Sequence, residues 1–402
     1  MNRLLKHTKG DQVIWAVVFI LSFISLLAVY SATGSLAYKH DTNANYYLVK
    51  QVIVLGLGLV IIYLIHRVNY TKFARIAVLF YLLSIPLLLY TLVFGVKLNE
   101  GSRWIQLPVI GMTIQTSALA KLALFMFLAR MLSLKQAVIK DFKKGFLPVL
   151  TPVLITAALI APANLSTAVM IGVTCCILFF IGRVRVSHIL LLAFAGLIGG
   201  LLLYGVSKVT GWGRADTWEK RIVDFAGSSD DGKPKEDVYQ VLHAKIAIAN
   251  GGVMGLGPGN SQQRNFLPHS YSDFIYAMII EEYGLVGAAF VVMLYLVFLW
   301  RSILIFRRCP YAFGAFLAVG LSMTLVFQAM LNMAVNVNLV PVTGLTLPLV
   351  SMGGSSVWFT SIAIGVILSV SRYVDETEGK KKLQEANETD GKEHVKGRLA
   401  LG

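Results

Sequence analysis

Apolar runs of about twenty residues recur along the whole of this 402-residue chain, and they constrain its fold more than any other feature. A helix needs about 20 apolar residues to cross the hydrocarbon core of a bilayer. Segment 13–32, VIWAVVFILSFISLLAVYSA, is one such continuous run. A transmembrane β-barrel is disfavoured, because its strands are about ten residues long and alternate polar with apolar side chains. Only 14% of the residues are charged, against about 25% in a soluble domain.

We therefore predict an all-α polytopic integral membrane protein with about ten transmembrane helices. The fifth and sixth spans are separated only by APAN, residues 161–164, so one or both are expected to be short or bent. The first run is too long for a removable signal peptide and lacks the small-residue cleavage site. The predicted spans are 12–32, 48–66, 74–96, 118–134, 147–161, 164–182, 187–209, 273–300, 312–335 and 344–371.

Lys and Arg residues are concentrated in every second loop, and this pattern predicts the orientation. In short loops these residues mark the cytoplasmic side. The basic segments precede span 1, join spans 2–3, 4–5, 6–7 and 8–9, and follow span 10, so both termini are predicted to be cytoplasmic. The net charge of +15 then needs no nucleic-acid partner, since attraction to anionic lipids accounts for it. None of Cys175, Cys176 and Cys309 is placed for a disulfide outside the membrane or for a zinc site.

The chain divides into a cytoplasmic N-terminus (1–11), a membrane domain (12–371) and a charged tail (372–402) whose composition predicts disorder. Between spans 7 and 8 lies a large extracytoplasmic loop, 210–272, which is long enough to have structure of its own. Within it, 238–252 has apolar residues at helical spacing and ends at a glycine pair. This segment is predicted to be an amphipathic helix on the outer surface or a packed cap over the bundle.

Carboxylates stand in an otherwise apolar segment, HSYSDFIYAMIIEEYG, residues 269–284. Asp273 fits a helix cap with Ser270 three residues before it, and it equally fits a general base at the outer membrane boundary. Glu281 and Glu282 are expected one to two turns deeper, where an ionisable group by default marks a function or a buried partner. Only Glu281 would share a broad helix face with Asp273. The alternative for the glutamates is a structural pair with Arg or Lys.

Two further polar features fit a site at the same membrane face. Gln328, Asn332 and Asn336 recur every four residues and form one stripe on span 9, which predicts either hydrogen bonding between helices or the lining of a cavity. The pair Arg103–Trp104 and Lys121 flank an outside loop. They predict a basic pocket suited to a pyrophosphate, or interface anchoring alone.

Two glycine-rich segments interrupt the apolar pattern. GGVMGLGPGNS (251–261) lacks the Gly-Lys-Ser/Thr of a P-loop and predicts a tight chain reversal with close backbone packing. PVTGLTLPLVSMGGSS (341–356) breaks a span with proline and glycine. Such a break is tolerated at membrane depth only where it lines a cavity or is buried in protein.

These motifs together resemble the SEDS family, which includes FtsW, RodA and SpoVE. The resemblance rests on NEGSRWIQL with QTSALAKLAL, on the stretch from GGVMGLG to EEYGLVG, and on PVTGLTLPLVSMGGSS, in that order. The N-terminal run GDQVIWAVVFILSF looks more like the division branch than the elongation branch. The resemblance implies a peptidoglycan glycosyltransferase of the cytoplasmic (inner) membrane that polymerises lipid II on the outer face. It further implies a class B penicillin-binding transpeptidase and other divisome or elongasome proteins as partners, and the septum as location if the division branch is correct.

The resemblance also assigns residues. The family's Leu-Pro-x-x-x-Thr-Asp-Phe motif falls on LPHSYSDF, so Asp273 is implied as the catalytic residue, a general base for the sugar 4-hydroxyl. The charge of the leaving pyrophosphate must be stabilised by Arg or Lys, or by a divalent cation such as Mg²⁺ or Mn²⁺. The candidates for substrate binding are Arg103, Trp104, Lys121, Arg221, Glu281, Ser355 and Ser356.

The chain departs from the family pattern at four positions. Ala118 and Asn164 stand where the family usually has carboxylates, and His269 and Tyr271 replace its usual Glu and His. Any role of those carboxylates in binding a metal or substrate is in doubt here. Two other functions stay open at this point. A lipid II flippase would need a continuous polar path to the inside, and a non-catalytic scaffold for a transpeptidase would not need Asp273.

Overall fold

The computed structural model describes residues 9–34, 36, 44–98, 101–106, 113–210, 215–225, 236–268 and 270–399. Twelve α-helices and one small sheet make up this part of the chain. The helices are α1 (Gln12–Ala32), α2 (Ala44–Arg67), α3 (Phe73–Phe94), α4 (Thr116–Lys135), α5 (Leu147–Ile160), α6 (Leu165–Ile181), α7 (Val186–Thr210), α8 (Ala215–Phe225), α9 (Glu236–Gly251), α10 (Ile275–Arg308), α11 (Ala312–Asn336) and α12 (Gly354–Leu399).

Ten of these helices coincide with the ten predicted spans, which confirms the fold class of a polytopic helical membrane protein. Within the described ranges, nine apolar helical segments are long enough to cross a membrane. The fifth reaches this length only together with the π-helical turn Phe142–Phe146 that precedes α5, and α6 is a shorter apolar helix of 17 residues. The expectation that span 5 or span 6 is short is therefore confirmed. The cytoplasmic position of the basic loops and of both termini stays a prediction, and 'outer' denotes the predicted extracytoplasmic side.

Burial separates the inner helices from those at the periphery. In the most apolar window of each span, 78% of the residues of α11 are buried, against 6% in α7. The α11 helix packs against α4, α6, α10 and α12, and it forms the centre of the bundle. Exposed apolar side chains on α7 such as Leu197, Leu201 and Leu202 face outward, as expected of a helix surrounded by lipid.

Helix α10 differs from its predicted form because it is two helices joined at a break. Gly284 has φ 66° and ψ −169°, which is not helical. The shorter helix, residues 275–283, is almost entirely buried, while the longer one, residues 285–308, has 24 residues. A 24-residue helix is about 36 Å long and crosses the bilayer without the first segment.

The glycine-rich segment packs against this break and confirms the predicted close chain reversal. The backbone N–H groups of Leu256 and Gly257 donate to the carbonyls of Glu281 and Glu282, each at 2.9 Å. A Cβ on Gly255 would lie 2.2 Å from the Glu282 carbonyl oxygen, and Gly255 has φ +83°. Glycine is required here, since the two backbones touch and the left-handed conformation disfavours side chains.

Two outer segments complete the fold. A three-stranded antiparallel sheet, β1 (Val96–Leu98), β2 (Gly101–Gln106) and β3 (Thr113–Gln115), precedes α4. In the long outer loop, α9 forms where an amphipathic helix was predicted, and it packs on α10. Ala244 and Ala247 are its fully buried side chains, whereas Leu242 is exposed. The packed-cap alternative therefore describes α9.

The tenth span starts later than predicted. Residues 340–347 have no regular structure, turns follow, and α12 begins at Gly354 rather than at residue 344. The prolines and glycines of 341–356 explain the delay, because proline lacks the N–H that a helix interior needs. At its other end α12 continues to Leu399, which differs from the disorder that composition predicts for the tail.

Candidate active site

A cavity of about 660 Å³ opens between the bundle and the outer segments. Its walls come from β2 and β3, from α4, α8, α11 and α12, and from the irregular segments before α10 and α12. Five of the eight candidate catalytic and substrate-binding residues meet here, although they are far apart in the chain. They are Trp104, Lys121, Arg221, Asp273 and Ser356.

Asp273 lies in the turn that precedes α10, and it is not the helix cap. The first helical residue is Ile275, and the N-cap is Phe274, which makes no side-chain capping bond. Ser270, the expected capping-box partner, donates instead to the carbonyl of Ala32 at 3.3 Å. The cap interpretation is therefore wrong for this helix, and the side chain of Asp273 lines the cavity.

The polar stripe of α11 faces this turn and the segment before α12. Asn332 and Asn336 each donate from Nδ2 to the Asp273 carbonyl oxygen, at 2.8 and 2.9 Å. Gln328 donates from Nε2 to the Thr346 carbonyl at 2.8 Å, and it also lines the cavity. Both interpretations of the stripe hold. Its side chains form hydrogen bonds to neighbouring segments of the bundle, and Gln328 lines the cavity.

Lys121 supplies a cation to the same cavity. It lies in the second turn of α4, and its Nζ donates to Oε1 of Gln328. That acceptor is a neutral amide. Within the described ranges, no carboxylate oxygen lies within 4 Å of this ammonium. A half-buried cation whose charge is not neutralised by a neighbouring acid favours an anionic ligand.

Helix α8 forms another part of the wall and adds residues that the sequence analysis missed. Thr217, Lys220, Arg221 and Asp224 line the cavity together. Because they are spaced three, four and seven residues apart, they lie on one face of the helix. This polar face in ADTWEKRIVDF is the sequence feature from which the lining residues could have been predicted. Only Arg221 was named, because a short helix in a loop is hard to place without knowing what it packs on.

The other face of α8 is tied to the outer end of α7. Lys208 on α7 makes ion pairs with Asp216 at 2.9 Å and with Glu219 at 2.5 Å. The hydrogen bonds from Lys208, followed by its charge, lower the pKa of both carboxyl groups. These groups are therefore ionised at neutral pH, and the contact holds α8 over the cavity.

Three predicted substrate-binding residues are not among the described residues that line the cavity. Ser355 is buried, and its hydroxyl accepts from the Gln115 backbone N–H at 3.0 Å, so it holds β3. Arg103 lies on strand β2 beside Trp104, and its side chain is outside the described residues. The third, Glu281, is fully buried away from the cavity.

The Glu281 carboxylate organises the end of the glycine-rich segment. It accepts from the Ser261 hydroxyl at 2.5 Å and from the backbone N–H groups of Gln262 and Gln263 at 3.1 and 3.2 Å. Glu282 accepts from the Ser31 hydroxyl. For Glu281, the described contacts are with a hydroxyl, a side-chain amide and backbone N–H groups rather than with the expected Arg or Lys. Both glutamates lie in the short helix before the break at Gly284. The prediction that they lie deeper along one straight span with Asp273 is therefore wrong.

The structure describes three of the four positions that depart from the family pattern. Ala118 lines the cavity. Asn164 caps α6 by accepting from the Thr167 N–H at 3.3 Å. Burial, and then the charge of Asp273, raise the pKa of the Tyr271 phenol, so Tyr271 is a neutral neighbour of that carboxylate at physiological pH. His269 lies outside the described residues.

Comparison with known proteins gives concordant matches over most of the chain. A family model described as the cell cycle protein group FtsW, RodA and SpoVE matches residues 11–376. The stage V sporulation protein E of Bacillus subtilis (strain 168) is 35% identical over 375 residues, which cover 92% of this chain and 98% of the relative. The probable peptidoglycan glycosyltransferase FtsW of Geobacter metallireducens is 33% identical, with coverages of 90% and 94%.

Solved structures agree with the fold. One described as "Structural coordination of polymerization and crosslinking by a peptidoglycan synthase complex" has a TM-score of 0.68 at 25% identity, and the match covers 91% of this chain and 98% of that one. The rod shape determining protein RodA of Thermus thermophilus has a TM-score of 0.64 at 24% identity, with coverages of 90% and 97%. The second match concerns the fold alone.

Proposed function

The chain belongs to the FtsW, RodA and SpoVE family, and on this basis we propose that it is a peptidoglycan glycosyltransferase that polymerises lipid II. One observation supports the proposal most. A carboxylate, Asp273, and the cations Lys121 and Arg221 line a single cavity. A glycosyl transfer from a pyrophosphate-linked donor needs a base for the acceptor hydroxyl and positive charge for the leaving group.

In the proposed step, the Asp273 carboxylate removes the proton of the acceptor sugar's 4-hydroxyl. The hydroxyl oxygen forms a bond to the anomeric carbon of the growing chain's terminal sugar. The bond from that carbon to the pyrophosphate oxygen breaks, and undecaprenyl pyrophosphate leaves with the electron pair. Attack and departure occur on opposite faces of the sugar, so the anomeric configuration inverts.

Lys121 and Arg221 are the proposed partners of the leaving pyrophosphate. Arginine suits phosphate because its planar fork presents two parallel donors, and Lys121 supplies a point charge. Trp104 and Ser356 line the same cavity and are proposed to contact the sugar or peptide portion. The mechanism assigns no substrate contact to Glu281 or Ser355, because both side chains are occupied by the bonds described above.

A divalent cation is the other way to neutralise a pyrophosphate. In the described part of the chain, no group of three or more His, Cys, Asp or Glu side chains is placed to hold a metal. The side chains at positions 118 and 164 are Ala and Asn, which supply no carboxylate. The described residues form no all-protein cage for Mg²⁺ or Mn²⁺, but Mg²⁺ is usually held by one or two carboxylates together with substrate phosphates. The proposed step uses the protein's own cations, and a divalent cation held by Asp224 or Asp273 and the pyrophosphate would add to their charge.

The lower part of the cavity argues against the flippase alternative. Leu321 lies 15 residues before the outer end of α11, about 22 Å along the helix axis. The lining residues of this part include Leu325, Phe359 and Ala363, together with the hydroxyl side chains Thr324 and Thr360. A transport path for a charged headgroup would need polar groups continuing inward. The charged lining residues instead gather toward the predicted outer face, and the deeper part offers only hydroxyl groups to a charged headgroup.

The proposed setting follows from the relatives. A similar solved structure is described as a peptidoglycan synthase complex that coordinates polymerization and crosslinking, so we propose a class B penicillin-binding transpeptidase as partner. The cytoplasmic membrane is the proposed location, with the cavity facing outward. Similarity to FtsW proteins supports assembly with divisome proteins at the septum.

The test is polymerisation of labelled lipid II by the full chain reconstituted with its cognate transpeptidase. Asp273→Asn keeps the size of the side chain and removes the base, so glycan strands should no longer form. Asp224→Asn is the matched variant, because it removes the other carboxylate described in the cavity wall and should retain measurable polymerisation.

The outcomes separate the alternatives. Equal product from Asp273→Asn and the native chain would refute the assigned base. Loss of product only with Asp224→Asn would move that role to α8. Transport of lipid II across liposomes without polymerisation would support the flippase. Normal growth of cells carrying only Asp273→Asn would support the scaffold.

A further inference from the structure

Three consecutive carbonyl groups leading up to and including Asp273 accept hydrogen bonds from other parts of the chain. The Tyr271 carbonyl accepts from the Met352 N–H at 2.9 Å. The Ser272 carbonyl accepts from the Ser351 hydroxyl at 2.5 Å. The Asp273 carbonyl accepts from both Asn332 and Asn336. We refer to residues 271–273 as the held turn.

The donors to the last carbonyl also control how the chain enters α10. Asn336 donates to the Asp273 carbonyl from Nδ2 and accepts the Ala277 N–H on Oδ1 at 2.9 Å. One side chain thus joins the residue before the helix to its first turn. Its amide orientation is fixed, because one end meets carbonyls and the other an N–H. Asn332 and Asn336 are both 1% exposed.

The donor of the middle bond is itself held on several sides. Ser351 accepts the Leu347 N–H at 2.8 Å in the segment before α12. That segment is fixed from two other helices: Tyr295 donates to the Pro348 carbonyl at 2.5 Å, and Ser25 donates to the Val350 carbonyl at 2.8 Å. Leu349, within it, has φ +65°. A leucine keeps this unfavourable conformation only where the surroundings over-determine it.

Ordinary helix stabilisation does not account for these bonds. A side-chain cap would satisfy the free N–H groups of the first turn, yet the N-cap Phe274 makes none. The three side-chain donors, the amides of Asn332 and Asn336 and the hydroxyl of Ser351, instead donate to carbonyl groups that precede the helix. They fix the residue whose side chain faces the cavity. Such a supporting shell is what a catalytic group needs to be held within about 0.5 Å of its productive position.

We propose that Asn332, Asn336 and Ser351 are positioning residues that hold the main chain of the held turn and so direct the Asp273 carboxylate toward the acceptor hydroxyl. This inference rests on the proposed function of Asp273. The three side chains touch the main chain of the held turn and act through Asp273. Releasing the turn leaves substrate binding intact and slows the chemical step, because a displacement of about 1 Å can lower a rate about 100-fold.

The experiment compares full-chain variants, reconstituted with the cognate transpeptidase, in lipid II polymerisation. Asn336→Leu removes the amide at nearly constant volume, and Ser351→Ala removes a single hydroxyl. We expect kcat to fall about tenfold to 100-fold while KM changes little. Ser351→Thr restores a hydroxyl and should recover most of the rate.

The matched control is Ser322→Ala. Ser322 is a fully buried serine of the same helix α11, and its hydroxyl bonds to the Val319 carbonyl of that helix. It does not line the cavity. Its removal should leave kcat unchanged. Thermal unfolding in detergent, measured for every variant, separates loss of folded protein from loss of rate.

Each result has one meaning. Native kcat in both Asn336→Leu and Ser351→Ala, with Asp273→Asn inactive, overturns the positioning role and leaves the proposed function standing. A fall in rate that matches a loss of folded protein, or that Ser351→Thr does not reverse, also overturns it. Native activity of Asp273→Asn is a different result, which refutes the base itself. A low kcat at normal KM in folded Ser351→Ala, reversed by threonine, supports the inference.

Discussion

The Tyr276 hydroxyl lies 3.3 Å from the carbonyl oxygen of Ala288, to which it donates a hydrogen bond. In a straight helix these residues would be about 18 Å apart along the axis, well beyond the reach of a tyrosine side chain. The bond exists because the chain bends at Gly284. The bend brings the short buried helix 275–283 across the outer end of α11, where Ala277 meets Asn336.

We predict that Gly284→Ala strongly destabilises the protein. Gly284 has φ +66°, and a Cβ there would lie 2.2 Å from the Val253 carbonyl oxygen. The conformation is nearly exclusive to glycine, and the contact is with backbone that cannot move aside. We expect a loss of about 2 to 4 kcal/mol in the free energy of unfolding, measured by unfolding in detergent.

The control for this prediction is Gly56→Ala in α2. Nothing lies within 4 Å of a Cβ at that position, and alanine is the better helix former by about 1 kcal/mol. Gly56→Ala should therefore leave stability unchanged or raise it. Equal stability of both variants would show that the break at Gly284 is not required.

Glu281 should behave as a structural residue. Glu281→Ala leaves the Ser261 hydroxyl and two backbone N–H groups without their acceptor inside the protein, and each buried unpaired group costs about 1 to 3 kcal/mol. Poor folding and a lower unfolding temperature are expected. Glu281→Gln keeps one oxygen acceptor and should be intermediate. A raised KM at native stability would instead restore Glu281 as a substrate-binding residue.

Lys121 should show the opposite pattern. Lys121→Met removes a half-buried cation whose described partner is a neutral amide, so the unfolding temperature should stay the same or rise. Polymerisation should fall about 100-fold or more, since charge stabilisation of a leaving group is lost. The unfolding temperature and the rate of lipid II polymerisation should be measured on the same sample of each variant. A parallel loss of stability and rate would argue that Lys121 serves packing.

The contact between α7 and α8 should depend on pH. Because Lys208 lowers the pKa of Asp216 and Glu219 in the folded state, the stabilisation is present above their unfolded pKa values of about 4 and is lost as pH falls through the lowered values. Hydrogen exchange of residues 215–225, corrected for the intrinsic rate, should lose protection on acidification.

Lys208→Met is the matched variant for this contact. It should lower the protection at neutral pH by the small amount that exposed ion pairs contribute, and it should abolish the pH dependence that arises from this contact. Protection that stays high in Lys208→Met would show that α8 is held by packing on α9 and the bundle rather than by the ion pairs.

Sequence and structure agree most closely where a local pattern carries the information. The length of an apolar run, the glycine pair after residue 250, and the proline and glycine residues of 341–356 predicted helices and breaks, because backbone bonding inside a bilayer leaves few alternatives. The stripe of Gln328, Asn332 and Asn336 was visible for the same reason, since its four-residue spacing is a property of one helix.

The predictions that failed depended on contacts between distant segments. Asp273 fitted a capping box by spacing, yet α10 begins two residues later, because Asn336 and Ser351 hold the turn before it. Glu281 was placed deep in a straight span, whereas Gly284 breaks the helix only because the glycine-rich segment pairs with it. Lys220 and Asp224 were not predicted as lining residues, because their position in the cavity wall depends on how α8 packs over the bundle.

From the order of residues alone, the chain can be recognised as a multi-span helical protein with its helices near their observed positions, and Asp273, Lys121 and Arg221 can be selected as candidate site residues. Hydrophobicity and helical periodicity act over one or two turns, so the order of residues suffices to read them. That Asp273, Lys121 and Arg221 share one cavity while Glu281 lies outside it is visible only in the folded bundle. That outcome depends on side chains meeting backbone groups scores or hundreds of residues away, and their geometry exists only once the bundle has packed.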